Sequence, residues 1–201
     1  AGDIRAPKKN NQLKITRNLI SSISKKTILV FPSTDKIYIN NPKNNKETSK
    51  ILDDFDNHYE KNKFISEKLI IKKLTKYYIL RLGPVHSVGN LSILKDKSTI
   101  DKLLHNLKNK KKVPVFSNVY RSFCRVEELS LFFYNLLYKK NMPFGIYNIG
   151  SKLFSYHDRL IKLAHGKKIS TKKIIPKFGY VEPEIQELDT NKIKQKGFIF
   201  T

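Results

Sequence analysis

A tyrosine and a lysine one helical turn apart could carry proton chemistry in this sequence. Tyr59 and Lys63 open an amphipathic stretch, and residues at positions i and i+4 of a helix share one face. The pKa of a tyrosine is ordinarily about 10, so the phenol needs a nearby cation to exchange protons readily at neutral pH. Lys63 would supply that cation and hold the pKa of Tyr59 down.

A hydroxyl residue upstream completes a possible reaction centre. Thr34 follows a continuous apolar run and therefore stands at the carboxyl end of a predicted strand, where open α/β sheets bind ligands. A hydroxyl that binds a carbonyl or alcohol oxygen, a tyrosine that moves the proton and a lysine that tunes the tyrosine suit hydride transfer with a nicotinamide cofactor. Thr34, Tyr59 and Lys63 are thus the predicted catalytic residues. The alternative is a capped strand followed by a surface helix.

The elements that must position this centre alternate between strand and helix. Continuous apolar runs predict buried strands of a parallel sheet at 27–31, 77–82 and 144–150. Apolar residues at helical spacing predict helices over 13–23, 59–74, 100–107, 127–138 and 155–165, with a C-terminal piece around 189–196. A short strand at 113–116 contains a proline, which favours a sheet edge. This alternation predicts an α/β doubly wound sheet with a smaller C-terminal lobe.

The composition indicates a folded domain in a reducing compartment. The chain has 201 residues, of which 39% are hydrophobic, enough for one well-cored domain or slightly more. No apolar run reaches the ~18 residues of a membrane span. The single cysteine, Cys124, excludes an internal disulfide framework and favours the cytoplasm. The histidines show no ligand spacing, so we expect no metal site.

The formal net charge of +23 has two interpretations. It could mark a basic nucleic-acid-binding protein, or a bias toward lysine spread over every surface. We favour the second interpretation because lysines are dispersed along the chain and arginine, the better ligand for bases and phosphates, is scarce. We therefore expect neither a nucleic-acid nor a membrane partner, and keep nucleic-acid binding as the alternative.

Six ordered segments resemble the motifs of the extended short-chain dehydrogenase/reductases, the NAD-dependent epimerase/dehydratase group that acts on nucleotide sugars. The segments are 16–20 (T-x-N-L), 31–38 (S-[ST]-x-x-V-[YF]), 59–69 (Y-x-x-[ST]-K-x-x-x-E-x-L), 80–85 (L-R-x-x-N-V-[YF]), 121–129 (R-x-[FY]-x-H-V-x-D-[LV]) and 145–151 (G-x-[YF]-N-[IVL]-G). The matches depart from the family pattern at Asn62, Pro84 and Arg125. The resemblance implies a Rossmann-type sheet and an NAD or NADP cofactor.

The resemblance also implies roles for individual residues. Thr34 would hydrogen-bond the reacting sugar oxygen, Tyr59 would be the general acid/base, and Lys63 would bind the nicotinamide ribose and lower the pKa of Tyr59. The remaining implied contacts are Leu82, Gly83, Pro84 and Val85 along the nicotinamide, with Ser33 and Arg121 to the nucleotide-sugar substrate. Reduction, epimerisation and dehydration all remain open, as does a member of the fold that binds without catalysis.

The resemblance finally implies a domain plan and an assembly. The family opens with a Gly-rich turn, but this sequence has only 8 Gly and no such turn, and Ala1-Gly2 resembles a later strand end. We therefore expect a fragment that lacks the Gly-rich opening third of the cofactor domain. Residues 1–90 would form the rest of that domain, and residues 91–201 would mainly form the substrate lobe. A homodimer through helices 13–23 and 59–74 is expected.

Overall fold

The computed structural model describes residues 11–38, 43–51, 55, 58–87, 98–139, 142–179 and 184–201. The expectation about Ala1-Gly2 lies outside them. The helices are α1 (Asn11–Ser22), α2 (His58–Lys73), α3 (Thr99–Lys108), α4 (Val126–Tyr138), α5 (Tyr156–Gly166) and α6 (Asn191–Lys194), and a 3-10 turn spans Asp35–Tyr38. The strands are β1 (Leu29–Thr34), β2 (Tyr77–Leu82), β3 (Val85–His86), β4 (Val113–Phe116), β5 (Val119–Ser122), β6 (Cys124–Arg125), β7 (Gly145–Ile149), β8 (Leu153–Ser155), β9 (Ile174–Lys177) and β10 (Glu184–Gln186).

The central sheet is parallel and has helices on both faces. Its strand order is β1-β2-β7. Neighbouring residues of a strand point to opposite faces, and Ile79 accordingly packs with Ile20 of α1 and Ile70 of α2. Leu80 packs on the other face, with Phe132 of α4 and with α6. This arrangement confirms the predicted α/β doubly wound fold.

The second part of the chain builds smaller sheets beside this one. Strand β5 lies between β10, which is parallel to it, and β8, which is antiparallel. Strand β4 pairs with β9 and β3 pairs with β6. Helices α3 and α5 pack against β4 through an apolar cluster that includes Leu104, Leu107, Val115, Leu160 and Ala164. Helix α4, strand β7 and helix α6 return to the central sheet.

Two glycines bring the small sheet against the ends of the central strands. A Cβ atom at Gly83, just after β2, would overlap the backbone carbonyl oxygen of Ser122. A Cβ atom at Gly150, just after β7, would lie 2.7 Å from the same oxygen. Only residues without a side chain permit this approach, so the end of β5 packs directly on the carboxyl ends of β2 and β7.

The predicted elements differ from the observed ones mainly in short strands. The strand predicted at 27–31 is observed at Leu29–Thr34, because the polar residues at its end are buried and hydrogen-bonded. The pattern analysis missed β3, β5, β6, β8, β9 and β10, which have two to four residues each and no sustained apolar run. Within the described ranges, no helix has the length and apolar character needed to cross a membrane.

Candidate active site

Thr34 and Tyr59 meet at the carboxyl end of β1. Thr34 is the last residue of that strand and is buried, while Tyr59 is half-buried in the first turn of α2. Their side-chain hydroxyls are hydrogen-bonded to each other. Helix α2 packs back along β1, so two residues far apart in sequence share one polar contact, as the sequence predicted.

Lys63 lies beside this pair on the same face of α2. Its Nζ donates a hydrogen bond to the carbonyl oxygen of Pro32 over 2.7 Å and lies 5.8 Å from the centroid of the Tyr59 ring. Burial lowers the pKa of Lys63 to about 8, against the opposing effect of the Glu67 carboxylate. The structure therefore brings together all three residues predicted to be catalytic.

The pKa of Tyr59 shifts in the direction opposite to our expectation. Burial raises it, and the carboxylates of Asp35 and Glu60 raise it further, while the hydrogen bond with Thr34 opposes them. Lys63 is not among the groups that shift this pKa: its ammonium donates to the Pro32 carbonyl, and burial has the largest effect on the Tyr59 phenol. At neutral pH the Tyr59 phenol is therefore protonated.

Ser33, predicted to contact substrate, joins a buried ionic network. Its hydroxyl donates a hydrogen bond to the Glu67 carboxylate, which also accepts from Arg81 at 2.7 Å. Arg81 further donates to the Tyr38 hydroxyl. Ser33 and Thr34 are consecutive strand residues and point to opposite faces, so only Thr34 joins Tyr59.

The segment from Leu82 to Val85 contributes one residue to a cavity wall. Leu82 and Val85 pack against the apolar cluster under α4. The Gly83 amide donates to the Ile149 carbonyl over 3.0 Å. Pro84 faces the cavity. Three of the four residues predicted to lie along a cofactor thus have packing roles within the protein.

A cavity of about 390 Å³ lies next to the Thr34–Tyr59 pair. Thr34, Tyr59 and Lys63 are not among its lining residues, but Asp35 is, and Asp35 directly follows Thr34. Arg121, predicted to bind substrate, lines the cavity and forms an ion pair with Glu184 of β10. The cavity therefore adjoins the Thr34–Tyr59 pair and carries charged side chains.

Asp35 is the buried carboxyl group between the cavity and the residues predicted to be catalytic. It is 3% exposed, and its Oδ1 accepts from the Thr34 hydroxyl at 3.3 Å. No described residue hydrogen-bonds its Oδ2. Burial raises the pKa of Asp35 to about 6, although the nearby cations Arg121 and Lys36 lower it. Across the residues that the structure describes, no group of His, Cys, Asp and Glu could hold a metal ion.

Solved structures with the same architecture are nucleotide-sugar enzymes. A dTDP-4-dehydrorhamnose reductase from Bacillus anthracis in complex with NADP superposes with a TM-score of 0.78 and 16% identity, over 100% of this chain and 74% of that one. A UDP-glucose 4-epimerase from Thermus thermophilus in complex with NAD gives 0.71 and 17%, over 93% and 64%. A dTDP-glucose 4,6-dehydratase from Bacillus anthracis in complex with NAD gives 0.66 and 15%, over 92% and 58%.

This chain has the fold of these enzymes. No protein-family model matches its sequence, and no curated protein does. At 15–17% identity the likeness concerns the fold, which agrees with the Rossmann-type architecture expected from the six motifs.

Sequence reasoning missed both carboxylates of the cavity wall, Asp35 and Glu184. Asp35 had a usable signal, since a carboxylate directly after a buried strand end stands where this fold binds ligands. Glu184 had none. It belongs to a three-residue strand, and its contact with Arg121 joins segments that are far apart in the chain.

Proposed function

We propose that this chain is an NAD(P)-dependent enzyme acting on a nucleotide sugar, as a reductase, epimerase or dehydratase that transfers a hydride between nicotinamide and a sugar carbon. The convergence of Thr34, Tyr59 and Lys63 at the carboxyl end of β1 carries this proposal. The fold shared with sugar-nucleotide enzymes crystallised with NADP or NAD supports it.

In this proposal Tyr59 is the general acid/base and Thr34 orients the reacting oxygen. The Tyr59 phenol is protonated at neutral pH, since its pKa is raised from an already high value. It therefore carries a proton that an oxygen gaining negative charge during reduction would take. The Thr34 hydroxyl, hydrogen-bonded to that phenol, would bind the same oxygen. In the oxidative direction the proton would move from the sugar hydroxyl to the deprotonated, phenolate form of Tyr59.

The residues around Lys63 fit the nicotinamide half of a dinucleotide. An ammonium has three donors, and the Pro32 carbonyl accepts one from Lys63, so further donors are suited to ribose hydroxyls. Tyr59 and Pro84 would flank the same position. When bound, the nicotinamide supplies or accepts the hydride, and the protein groups hold and orient it.

The cavity is the proposed site for the nucleotide sugar. Three cationic side chains, Lys36, Arg121 and Lys177, line it and suit the phosphates of such a substrate. Most of the lining comes from residues after position 90. We therefore propose that residues 1–90 belong to the cofactor domain and that residues 91–201 mainly form the substrate lobe, with α4, β7 and α6 returning to the central sheet.

Assembly and location form the remaining part of the proposal. We propose a homodimer through α1 and α2, since these helices present the exposed apolar side chains Ile15, Leu19 and Ile71. The single cysteine, Cys124, is buried and unpaired, which suits a reducing compartment, so we place the enzyme in the cytoplasm.

Substitution of Tyr59 by Phe tests the catalytic assignment. It removes the proton donor but keeps the ring, so we expect kcat to fall by roughly a hundredfold or more. The assay follows NADPH oxidation with a dTDP-4-dehydro sugar and, separately, NAD-dependent conversion of UDP-glucose. Tyr134→Phe is the matched control, because Tyr134 is 55% exposed on α4 and lies outside the site.

Turnover of the Tyr59→Phe variant within a few-fold of the unmodified protein would contradict the assignment. Binding of NADPH by the unmodified protein without turnover of either substrate would favour a non-catalytic member of the fold. Binding of NADPH is measured independently by its fluorescence.

A further inference from the structure

Arg121 is the arginine of the cavity wall, and its guanidinium already pairs with a carboxylate. Arg121 lies on β5 and Glu184 on the neighbouring parallel strand β10, where Val119 is in register with Glu184 and Arg121 with Gln186. The Arg121 guanidinium forms an ion pair with the Glu184 carboxylate, and both residues line the cavity. An anion that enters the cavity must therefore compete with Glu184 for Arg121.

The two partners differ in how firmly they are held. The Arg121 side chain is 8% exposed, whereas that of Glu184 is 33% exposed. Arg121 also donates from Nη1 to the Tyr120 carbonyl over 2.8 Å. The backbone of Glu184 is anchored by its amide, which donates to the Asn118 carbonyl over 2.9 Å. Glu184 is thus the partner whose side chain can leave the pair while Arg121 stays in place.

The other two cations of the cavity have weaker interactions. Lys177 Nζ lies 4.0 Å from the centroid of the Phe116 ring. Lys36 Nζ lies 3.7 Å from a Glu60 oxygen and is half-exposed. An arginine binds phosphate through paired hydrogen bonds that a lysine does not offer, so release of Arg121 decides how tightly a phosphate is held.

We propose that Glu184 is a displaceable counter-ion of Arg121 that weakens the binding of the substrate diphosphate and thereby favours product release. The identification of the bound anion as the diphosphate of a nucleotide sugar rests on the proposed function. In the free protein Glu184 forms an ion pair with Arg121. The diphosphate displaces the Glu184 carboxylate when it binds, and Glu184 pairs with Arg121 again as the product leaves. Glu184 is a positioning residue, because it acts on the ligand only through Arg121.

A purely structural role for Glu184 makes the opposite prediction. If the pair serves only to hold β10 against β5, its loss should loosen the cavity wall and weaken anion binding. If Glu184 is a competitor, its neutralisation should tighten anion binding. The free energy of a partly exposed pair, about 1 kcal/mol, corresponds to roughly a fivefold change in affinity.

The experiment compares pyrophosphate binding by isothermal titration calorimetry in four proteins. We expect Glu184→Gln to lower the Kd of inorganic pyrophosphate about fivefold relative to the unmodified chain, and Arg121→Gln to raise it at least tenfold. Glu187→Gln makes the same charge change on a residue outside the cavity wall and controls for net charge. An unchanged or raised Kd in Glu184→Gln, or an equal fall in Glu187→Gln, overturns the proposal.

A second variant and a kinetic measurement separate the effect of the Glu184 charge from an effect of misfolding. Glu184→Asp keeps the charge but shortens the reach to Arg121, so its Kd should lie between those of the unmodified protein and Glu184→Gln. With a substrate that is turned over, Glu184→Gln should lower KM more than it changes kcat. Tighter pyrophosphate binding without turnover of any nucleotide sugar would support the role of Glu184 and contradict the proposed function. Turnover of a nucleotide sugar, with a pyrophosphate affinity that Glu184→Gln leaves unchanged, would support the proposed function and contradict the role of Glu184.

Discussion

At the residue scale, the titration of Lys63 and Tyr59 is set by burial. The pKa of Tyr59 is raised and that of Lys63 is lowered to about 8. Removal of both groups from water disfavours their charged forms, a phenolate and an ammonium. The pair therefore holds a protonated phenol over the neutral range, beside an ammonium that becomes neutral as the pH rises through about 8.

Because the pKa of Lys63 is lowered and that of Tyr59 is raised, we expect activity to fall at alkaline pH through deprotonation of Lys63. Because its pKa is lowered to about 8, the cation that we assign to cofactor binding is lost as the pH rises past that value. We expect kcat/KM to fall above a pH of about 8, although the phenol is still protonated there. The measurement is a pH profile of kcat/KM in the reductive direction.

Lys63→Arg identifies the group responsible for that loss. An arginine keeps its charge throughout the profile, so the alkaline fall should move to higher pH even if the maximal rate is lower. Lys61→Arg, on an exposed position of the same helix, should leave the profile in place. An unshifted fall in Lys63→Arg would show that another group titrates.

At the element scale, the close contact between the β2 and β5 ends shapes the site. Gly83 follows β2 and lies against the Ser122 carbonyl, and the next residue, Pro84, forms part of the cavity wall. Beyond β5, the Cys124 amide donates to the Pro84 carbonyl over 3.0 Å. The loop is thus held by backbone contacts on both sides, which fixes Pro84 between the central sheet and the cavity.

Gly83→Ala should disrupt this contact. The added methyl group would overlap the Ser122 carbonyl oxygen, so we expect a loss of about 2–3 kcal/mol in the free energy of unfolding, as for overpacked sites. Gly166→Ala is the control, since nothing lies within 4 Å of its Cβ position. Urea denaturation measures both variants, and a Gly83→Ala protein as stable as Gly166→Ala would contradict the packing described here.

At the scale of the whole molecule, positive charge is widespread. The net charge is +23, and lysines occur on every described helix except α4. The two loops before β4 and β9 lie side by side, with Lys173 Nζ donating to the Lys110 carbonyl over 2.7 Å. If the protein bound nucleic acid, the lysines of these two loops would be a candidate contact surface. Such binding would weaken steeply as salt is raised from about 50 to 200 mM.

The exposed apolar side chains of α1 predict the dimer interface. Ile15→Glu would place a charge in the middle of the proposed helix pair, so we expect it to convert a dimer into a monomer. Leu131→Glu on α4 is the matched control, because Ile15 and Leu131 are both 62% exposed. Light scattering after size-exclusion chromatography measures the mass. A monomeric unmodified protein, or dissociation by Leu131→Glu alone, would contradict an interface through α1 and α2.

The sequence by itself predicted the main strands and helices around the central sheet and named Thr34, Tyr59 and Lys63 as residues that meet at the end of β1. Apolar periodicity and the one-turn spacing of Tyr59 and Lys63 are local properties, and β2 is observed at the predicted residues. Only the tertiary structure decided the direction of the Tyr59 pKa shift, the inward hydrogen bond of Ser33 and the pairing of Arg121 with Glu184. Each of these depends on burial or on contacts between distant segments, which no local pattern encodes.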